Sequence, residues 1–310
     1  MDVALRHLAD SQAGLFTTAQ AAAVGWSTDA LACEVRAGTL VHLGRALYAV
    51  PGPDVAHPEG RHLLLCRGGL LLYPGARLSH ASAVLALGLP WWGVQLKHAY
   101  LARPELRHQV RTQSFVIDRC SDAAPVQTAV GAAEPPDIAL VQHTLAHGVT
   151  PGVVAMDAAL HKGLLTRAML DAACARVNGW PRSSRVASAL ALVDGRSESV
   201  GESLVRVIAT LDGLELDPQV EIRDASGAFV GRVDFLLRGT RVAIEFDGLV
   251  KYRVDGHDAL VAEKRREDAL RACGYFVVRL TWADLHRPGL VAARIRAGLS
   301  LARRAGAPVA

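Results

Sequence analysis

The chain has 310 residues, of which 51% are hydrophobic, 21% charged and 5% aromatic, so it can build a core and is not typical of a disordered protein. Its 34 basic and 30 acidic residues leave a net charge of +4, which permits nucleic-acid binding without indicating it. The five scattered cysteines form no CxxC pair, which argues against a zinc ribbon or a disulfide framework. Because we find neither a signal-peptide pattern nor an apolar run long enough to span a membrane, we expect a cytoplasmic protein.

The first segment, residues 1–55, has the element order of a winged helix-turn-helix. Short apolar runs predict helices, the last of them over Thr28–Ala37 with Gly38 ending it. Two short strands joined at Gly44-Arg45 follow and would form the wing. The DNA contacts that we expect lie on this last helix, at its cap and on the wing: Ser27, Thr28, Arg36, His42 and Arg45.

The same helix carries few cationic side chains for a reader of the major groove. Asp29 and Glu34 stand against Arg36 alone, whereas DNA-reading helices normally offer more cationic or amide groups. Two alternatives therefore stay open for this segment. It could be a small helical cap with a hairpin, or a protein-interaction module whose binding would be insensitive to salt.

The middle segment, residues 56–195, carries no recognisable motif, and its role stays open. We expect a mixed α/β region, with short strands at 98–101 and 114–119 and helices at 138–147 and 153–161. His143 and His147 lie four residues apart, but the sequence HTLAH lacks the Glu of the HExxH zinc pattern. We therefore expect these histidines to have surface or helix-packing roles.

The stretch 230–252 reads as a β-hairpin with carboxylates on otherwise apolar strands. Asp234 lies on the first strand, and on the second strand Glu245 and Asp247 share one face. Clustered carboxylates repel one another, and a divalent cation is the commonest reason for such a cluster. The alternative is that they lie in water at a sheet edge, or pair with Arg232 and Arg241.

The order of elements from 196 to 310 is α-β-β-β-α-β-α. Two of its helices carry charged residues that we expect to lie near the hairpin. A helix over 199–211 carries Glu202, and a later helix over 258–273 carries Lys264 and Arg266. Arg266 falls on the apolar stripe of its helix, so we expect it to face the sheet. There it could meet a phosphate or a structural carboxylate, or pack its stem over the sheet. The charged run 263–267 could also be a solvated helix face.

Residues 201–285 resemble the PD-(D/E)XK endonuclease-like domain that is related to very-short-patch-repair endonucleases. The matching motifs are GES (201–203), PQ (218–219), GRVDF (231–235), AIEFDG (243–248), EKRREDAL (263–270) and GYFVVRLTWADL (274–285). The resemblance implies that Mg²⁺ or Mn²⁺ is held by Asp234, Glu245 and Glu202. The candidate catalytic residues are Glu202, Asp234, Glu245, Asp247, Lys251, Lys264 and Arg266.

This sequence departs from the family pattern at one catalytic position. The usual lysine two residues after the Glu is Asp247 here, as in the very-short-patch-like branch. That branch often carries a histidine a few residues further on, where Lys251 stands. The group that would orient the attacking water therefore stays open.

Residues 10–52 resemble the N-terminal winged-helix domain of AbiEi-type antitoxins, through GLFTTAQAAAVGWS, LVHLG and RALYAV. We therefore expect an α/β (α+β) protein with a winged helix-turn-helix at 1–55, a mixed middle region at 56–195 and a restriction-endonuclease-like αβββαβ core at 196–310. The resemblances imply a metal-dependent DNA endonuclease. The alternative is an antitoxin-type transcriptional regulator with a catalytically inactive nuclease-like domain, which would bind DNA and a toxin partner.

Overall fold

The computed structural model describes residues 2–248 and 257–306. The helices are α1 (Val3–Ser11), α2 (Thr18–Ala23), α3 (Thr28–Arg36), α4 (Pro53–Ala56), α5 (Pro58–Leu72), α6 (His80–Ala86), α7 (Pro136–His147), α8 (Val149–His161), α9 (Arg167–Ala175), α10 (Ser183–Leu192), α11 (Val200–Leu211), α12 (His257–Ala272), α13 (Trp282–Leu285) and α14 (Leu290–Arg304). The strands are β1 (Leu15–Thr17), β2 (Val41–Gly44), β3 (Leu47–Ala49), β4 (Arg77–Leu78), β5 (Ala99–Arg103), β6 (Val110–Arg111), β7 (Phe115–Arg119), β8 (Val126–Gln127), β9 (Ala132–Ala133), β10 (Leu216–Arg223), β11 (Phe229–Leu237), β12 (Val242–Asp247) and β13 (Phe276–Thr281).

The chain divides into two compact units. The first comprises Met1–Ala155 and Leu164–Ala191, and the second comprises Met156–Gly163 and Leu192–Ala310. Among the described residues, helices occur together with three separate sheets, so the α/β (α+β) class expected from the sequence is confirmed. The division into domains at 1–55, 56–195 and 196–310 stays a prediction. Over 2–248 and 257–306, we find no helix with the length and apolar character needed to cross a membrane.

The beginning of the first unit is consistent with a winged helix. Helices α1 to α3 are followed by the β2–β3 hairpin, and β1 adds a third strand in the order β1-β3-β2. The sequence did not predict β1, because three residues are too few to display a periodic pattern. Three apolar side chains from separate elements, Leu5, Phe16 and Leu31, are fully buried in a shared core.

Local hydrogen bonds fix where α2 begins. The Thr17 hydroxyl accepts a hydrogen bond from the Gln20 amide at 3.2 Å, and the Gln20 side chain accepts one from the Thr17 amide at 2.9 Å. This reciprocal capping box satisfies two backbone N–H groups that a helix start otherwise leaves unpaired. The start of the helix-turn-helix is therefore set by its own sequence.

The rest of the first unit contains a sheet of short strands in the order β6-β7-β5-β4-β9-β8. Strands β5 and β7 occupy the two expected positions, and α7 and α8 cover the two expected helices. His143 on α7 is fully buried, as a helix-packing histidine would be, rather than at the surface. The segment Met156–Gly163, which holds the end of α8 and the two residues after it, contributes to the second unit instead.

The second unit is built on the sheet β10-β11-β12-β13, in which β12 and β13 run parallel and the other pairs are antiparallel. Its elements follow the expected α-β-β-β-α-β-α order, with the short α13 added before α14. One apolar cluster joins Val242 and Ile244 of β12 to residues of α11 and α14. A second cluster joins Ala243 to Leu270 of α12, so the expected alternation along β12 is confirmed.

A buried ion pair joins the segment Met156–Gly163 to α11. Asp157 is fully buried, and its carboxylate accepts hydrogen bonds from Ser203 at 2.7 Å and from the guanidinium of Arg206. The same carboxylate accepts a hydrogen bond from the backbone amide of Asp194 at 2.8 Å. Three donors therefore compensate one buried charge, as burial of a carboxylate requires.

Candidate functional site

The candidate DNA-contacting residues of α3 lie at its two ends. The Ser27 hydroxyl accepts a hydrogen bond from the Ala30 amide at 3.1 Å, so this side chain caps the helix. Thr28 is exposed in the first turn. At the other end, the Arg36 guanidinium is exposed and donates to the Ala32 carbonyl at 3.3 Å. Two of these three side chains thus have a structural role and are exposed as well.

The two candidate residues of the wing differ in their surroundings. His42 on β2 is exposed, and its ring lies 5.2 Å from that of Tyr48 on β3. Arg45 is exposed at the turn between these strands, where Ala46 adopts a positive φ of 61°. Among the described residues Arg45 has no ion-pair partner, so its guanidinium can reach a phosphate directly.

The predicted carboxylate hairpin consists of β11 and β12. Phe235 pairs with Ile244 and Leu236 with Ala243, and this antiparallel register, continued by one residue, would set Asp234 opposite Glu245. The Asp234 carboxylate accepts a hydrogen bond from the backbone amide of Phe246 at 2.7 Å. Asp234 therefore takes the place of a backbone acceptor at the point where the β11–β12 ladder ends.

Asp234 also marks a change of face along β11. Val233 belongs to the apolar cluster beside α12, whereas Phe235 belongs to the cluster beside α11 and α14. Gln219 lies opposite Asp234, between the paired residues Pro218 and Val220, and has a positive φ of 56°. Both strands are thus irregular at the same level, which a strictly alternating pattern does not predict.

Glu245 is buried, and two arginines surround its carboxylate. The guanidinium of Arg266 on α12 lies 2.8 Å from it, and that of Arg279 on β13 lies 3.8 Å from it. Of the partners expected for Arg266, the structure shows the carboxylate. The arginines expected to pair with the hairpin have other partners: Arg232 pairs with Glu198 at 2.9 Å, and Arg241 donates to the Cys273 carbonyl at 2.6 Å.

Glu202, the third expected metal ligand, lies in the first turn of α11. Its side chain accepts hydrogen bonds from the Gln219 side chain at 2.8 Å and from the Glu198 amide at 2.9 Å. The positive φ of Gln219 accompanies the contact between its side chain and this helix. Glu202 thus links the start of α11 to β10.

The described carboxylates do not form a ready ligand set for Mg²⁺. Within residues 2–248 and 257–306, no three His, Cys, Asp or Glu side chains are placed to hold one metal ion. Glu202, Asp234 and Glu245 instead contact an amide side chain, a backbone amide and a guanidinium. Their use as metal ligands would require these contacts to be exchanged, and the metal and catalytic assignments stay predictions.

The remaining candidate catalytic residues, Asp247, Lys264 and Lys251, differ in their surroundings. Asp247 is half-buried and pairs with Thr281 across the parallel β12–β13 ladder. Lys264 is exposed on α12. Lys251 lies outside the residues that the structure describes.

Two further residues of this site, Arg279 and Gln219, were not among the predicted site residues. Arg279 is the ladder partner of Glu245, and it also contacts Glu267 on α12 at 2.9 Å. Its signal was an arginine in an otherwise apolar strand, which in a half-buried sheet calls for a carboxylate partner. Gln219 was noted within the PQ motif, but nothing in its local sequence predicts a positive φ.

Comparisons with known proteins support the N-terminal assignment. Residues 3–51 match a family described as "Transcriptional regulator, AbiEi antitoxin". Two uncharacterized proteins of Mycobacterium tuberculosis, from strains CDC 1551 / Oshkosh and H37Rv, are each 31% identical to the chain over 152 residues. That alignment covers 49% of this chain, and the chain spans about half of each relative, 55% of its length. The expected likeness of the N-terminal segment to AbiEi-type antitoxins is therefore confirmed for residues 3–51.

Proposed function

We propose that the protein is a DNA-binding transcriptional regulator of the antitoxin type, which binds through its N-terminal winged helix. The observation that carries this proposal is the match of residues 3–51 to the AbiEi antitoxin regulators, over the same residues that fold as α1–α3 and the β2–β3 hairpin. Antitoxin regulators of this kind would control a promoter and bind a toxin partner.

The winged helix offers a defined but modest set of contacts for DNA. Arg36 and Arg45 supply cationic groups at the end of α3 and at the tip of the wing. Such contacts position a protein on the phosphate backbone, while the exposed face of α3 would contact base edges. Because Asp29 and Glu34 lie on the same helix, phosphate contacts elsewhere would have to supply much of the affinity.

The test measures binding of the full-length protein to duplex DNA. Fluorescence anisotropy would compare a fragment from upstream of its own gene with a shuffled fragment of the same length and composition. We expect tighter binding to the upstream fragment and weaker binding by the Arg36→Gln/Arg45→Gln variant. Arg6→Gln, an exposed arginine on α1, is the control. Equal binding of both fragments, or no effect of the double variant, would count against a regulator.

DNA cleavage by the second unit is a second candidate function. It is supported by the hydrogen bond from the Phe246 amide to Asp234, which brings this carboxylate next to the strand that carries Glu245, and by the motifs that resemble PD-(D/E)XK nucleases. The test incubates supercoiled plasmid with the full-length protein and Mg²⁺ or Mn²⁺, and compares Asp234→Asn with Asp224→Asn, an exposed aspartate in the β10–β11 turn. Nicking that Asp234→Asn abolishes would support cleavage. If neither metal supports nicking, the cleavage proposal fails and only the regulator proposal remains.

A further inference from the structure

A groove of about 700 Å³ lies beside the wing in the first unit. His42 and Gly44 of β2 line one side of it. The other lining residues come from the end of α4, from the first half of α5 and from the loops before β5 and β7. The exposed polar side chains that line the groove include His57, Arg61, Gln95, Lys97 and Gln113, and the buried His62 and Ser114 contribute as well.

The lining of this groove favours an anion. Among the described residues that form it, none is an aspartate or a glutamate. Arg61 and Lys97 are both exposed, and within the part of the chain that the structure describes neither has an ion-pair partner. Other arginines of the same unit do have partners: Arg77 contacts Glu134 at 3.3 Å, and Arg176 contacts Asp137 at 2.7 Å.

The start of α5 adds to the positive potential of the groove. This helix has fifteen residues, it begins at Pro58, and His57 before it makes no side-chain capping hydrogen bond. Backbone N–H groups at such a helix start carry a partial positive charge and bind anions. Glu59 in the first turn does not line the groove, and its carboxylate lies 3.4 Å from the indole nitrogen of Trp91.

We infer that this groove holds the phosphodiester backbone of duplex DNA beside the segment that the wing contacts. The inference rests on the proposed regulator function and extends its DNA surface beyond the matched residues 3–51, to Arg61 and Lys97. His42 belongs both to the wing and to the groove, so the two surfaces are continuous. A duplex carries one negative charge per about 1.7 Å of its axis, so a backbone that leaves the wing offers phosphates to the groove.

The experiment measures the affinity of the full-length protein for the upstream and shuffled duplexes over a range of salt concentrations. Arg61→Gln/Lys97→Gln removes two cations from the groove. Arg107→Gln/Arg119→Gln is the matched control, because both arginines are exposed and neither lines the groove. Arg119 lies at the end of β7, whereas the groove residue Ser114 lies just before its start. Thermal unfolding of each variant would confirm that it folds as the wild type does.

We expect the groove variant to bind both duplexes about tenfold more weakly, with a salt slope that is smaller by about 2, because two phosphate contacts are lost. The control should retain wild-type affinity and slope. An unchanged slope for the groove variant, together with weak binding by Arg36→Gln/Arg45→Gln, would overturn the groove and leave the regulator standing. An equal loss in the control would also overturn the groove, and wild-type protein that binds neither duplex would overturn both proposals.

Discussion

Arg266 of α12 and Glu245 of β12 form an ion pair with a nitrogen–oxygen distance of 2.8 Å. Glu245 is buried, and Arg266 also donates a hydrogen bond to the Arg232 carbonyl of β11 at 3.1 Å. One guanidinium therefore joins the helix to both strands of the carboxylate hairpin. The charged run on α12 is thus more than a solvated surface.

Replacing Arg266 should destabilise the second unit. In Arg266→Gln, the Glu245 carboxylate would stay buried with Arg279 as its more distant cation, at 3.8 Å. We expect a loss of about 1–3 kcal/mol, since Arg266 is partly exposed and the remaining cation compensates in part. Urea unfolding measures it, with Arg265→Gln as an exposed control on the same helix. Equal midpoints for the two variants would contradict the structural role of the pair.

Ser27 allows its capping role to be separated from a DNA contact. Ser27→Ala removes the acceptor for the Ala30 amide and should cost about 1 kcal/mol of stability. Ser27→Asp retains the cap and should restore stability, but its negative charge should repel phosphates and weaken DNA binding. Thermal unfolding and anisotropy on the same samples distinguish the two effects. Unchanged DNA affinity in Ser27→Asp would place Ser27 away from the backbone of the duplex.

Gly201, the first residue of the GES motif, lies against the ring of Phe246. A Cβ added at Gly201 would overlap that ring, so the ring, α11 or β12 would have to move. We expect Gly201→Ala to lower the free energy of unfolding by about 3 kcal/mol. In Gly248→Ala, the added carbon would lie 4.0 Å from the same ring, an ordinary contact, and stability should change little. Similar unfolding curves for the two variants would show that this contact is loose.

Buried histidines predict that the first unit loses stability in mild acid. Burial lowers the pKa of His143 to about 3 and that of His62 to about 4, from 6.5 for an exposed histidine. Below pH 6.5 the unfolded chain therefore binds more protons than the folded one. The stabilisation is complete above pH 6.5 and is lost as the pH falls toward the folded-state values.

The size of this effect can be measured with one substitution. At pH 5 each histidine should cost about 2 kcal/mol relative to pH 7, because it stays neutral in the folded state. His143→Gln should remove its share of the difference between pH 7 and pH 5 in urea unfolding. His108→Gln, an exposed histidine of the same unit, should retain it. A pH dependence that His143→Gln leaves intact would assign the effect to other groups.

Much of the fold follows from local sequence. The alternation along β12 predicted its two faces because Val242 and Ile244 pack on one side and Ala243 on the other. The start of α3 could be predicted at Ser27, because a serine hydroxyl before a helix accepts a hydrogen bond from an otherwise unpaired backbone amide, here that of Ala30. Elements with a clear hydrophobic period or a capping residue could therefore be predicted from the sequence.

The arrangement of the side chains in the candidate site could not be predicted from the sequence to the same extent. The irregularity at Gln219 and Asp234 reverses which residues of β10 and β11 face each helix, and periodicity assumes that no such change occurs. The pairing of Glu245 with Arg279 depends on the parallel register of β12 and β13, which are separated in sequence by the whole of α12. Which carboxylates meet a cation is thus decided by long-range pairing.

The buried carboxylate of Asp157 determines which segment of the gene must stay with the second unit for that unit to fold. A polypeptide that began at residue 192 would retain Arg206 and Ser203 but lose the acceptor that both of them contact. The arginine would then be a buried cation without its carboxylate, at a cost of about 3 kcal/mol or more. Recombination or proteolysis between α8 and α11 should therefore yield a C-terminal fragment that folds poorly alone. A shuffled gene would have to carry the end of α8 along with the sheet.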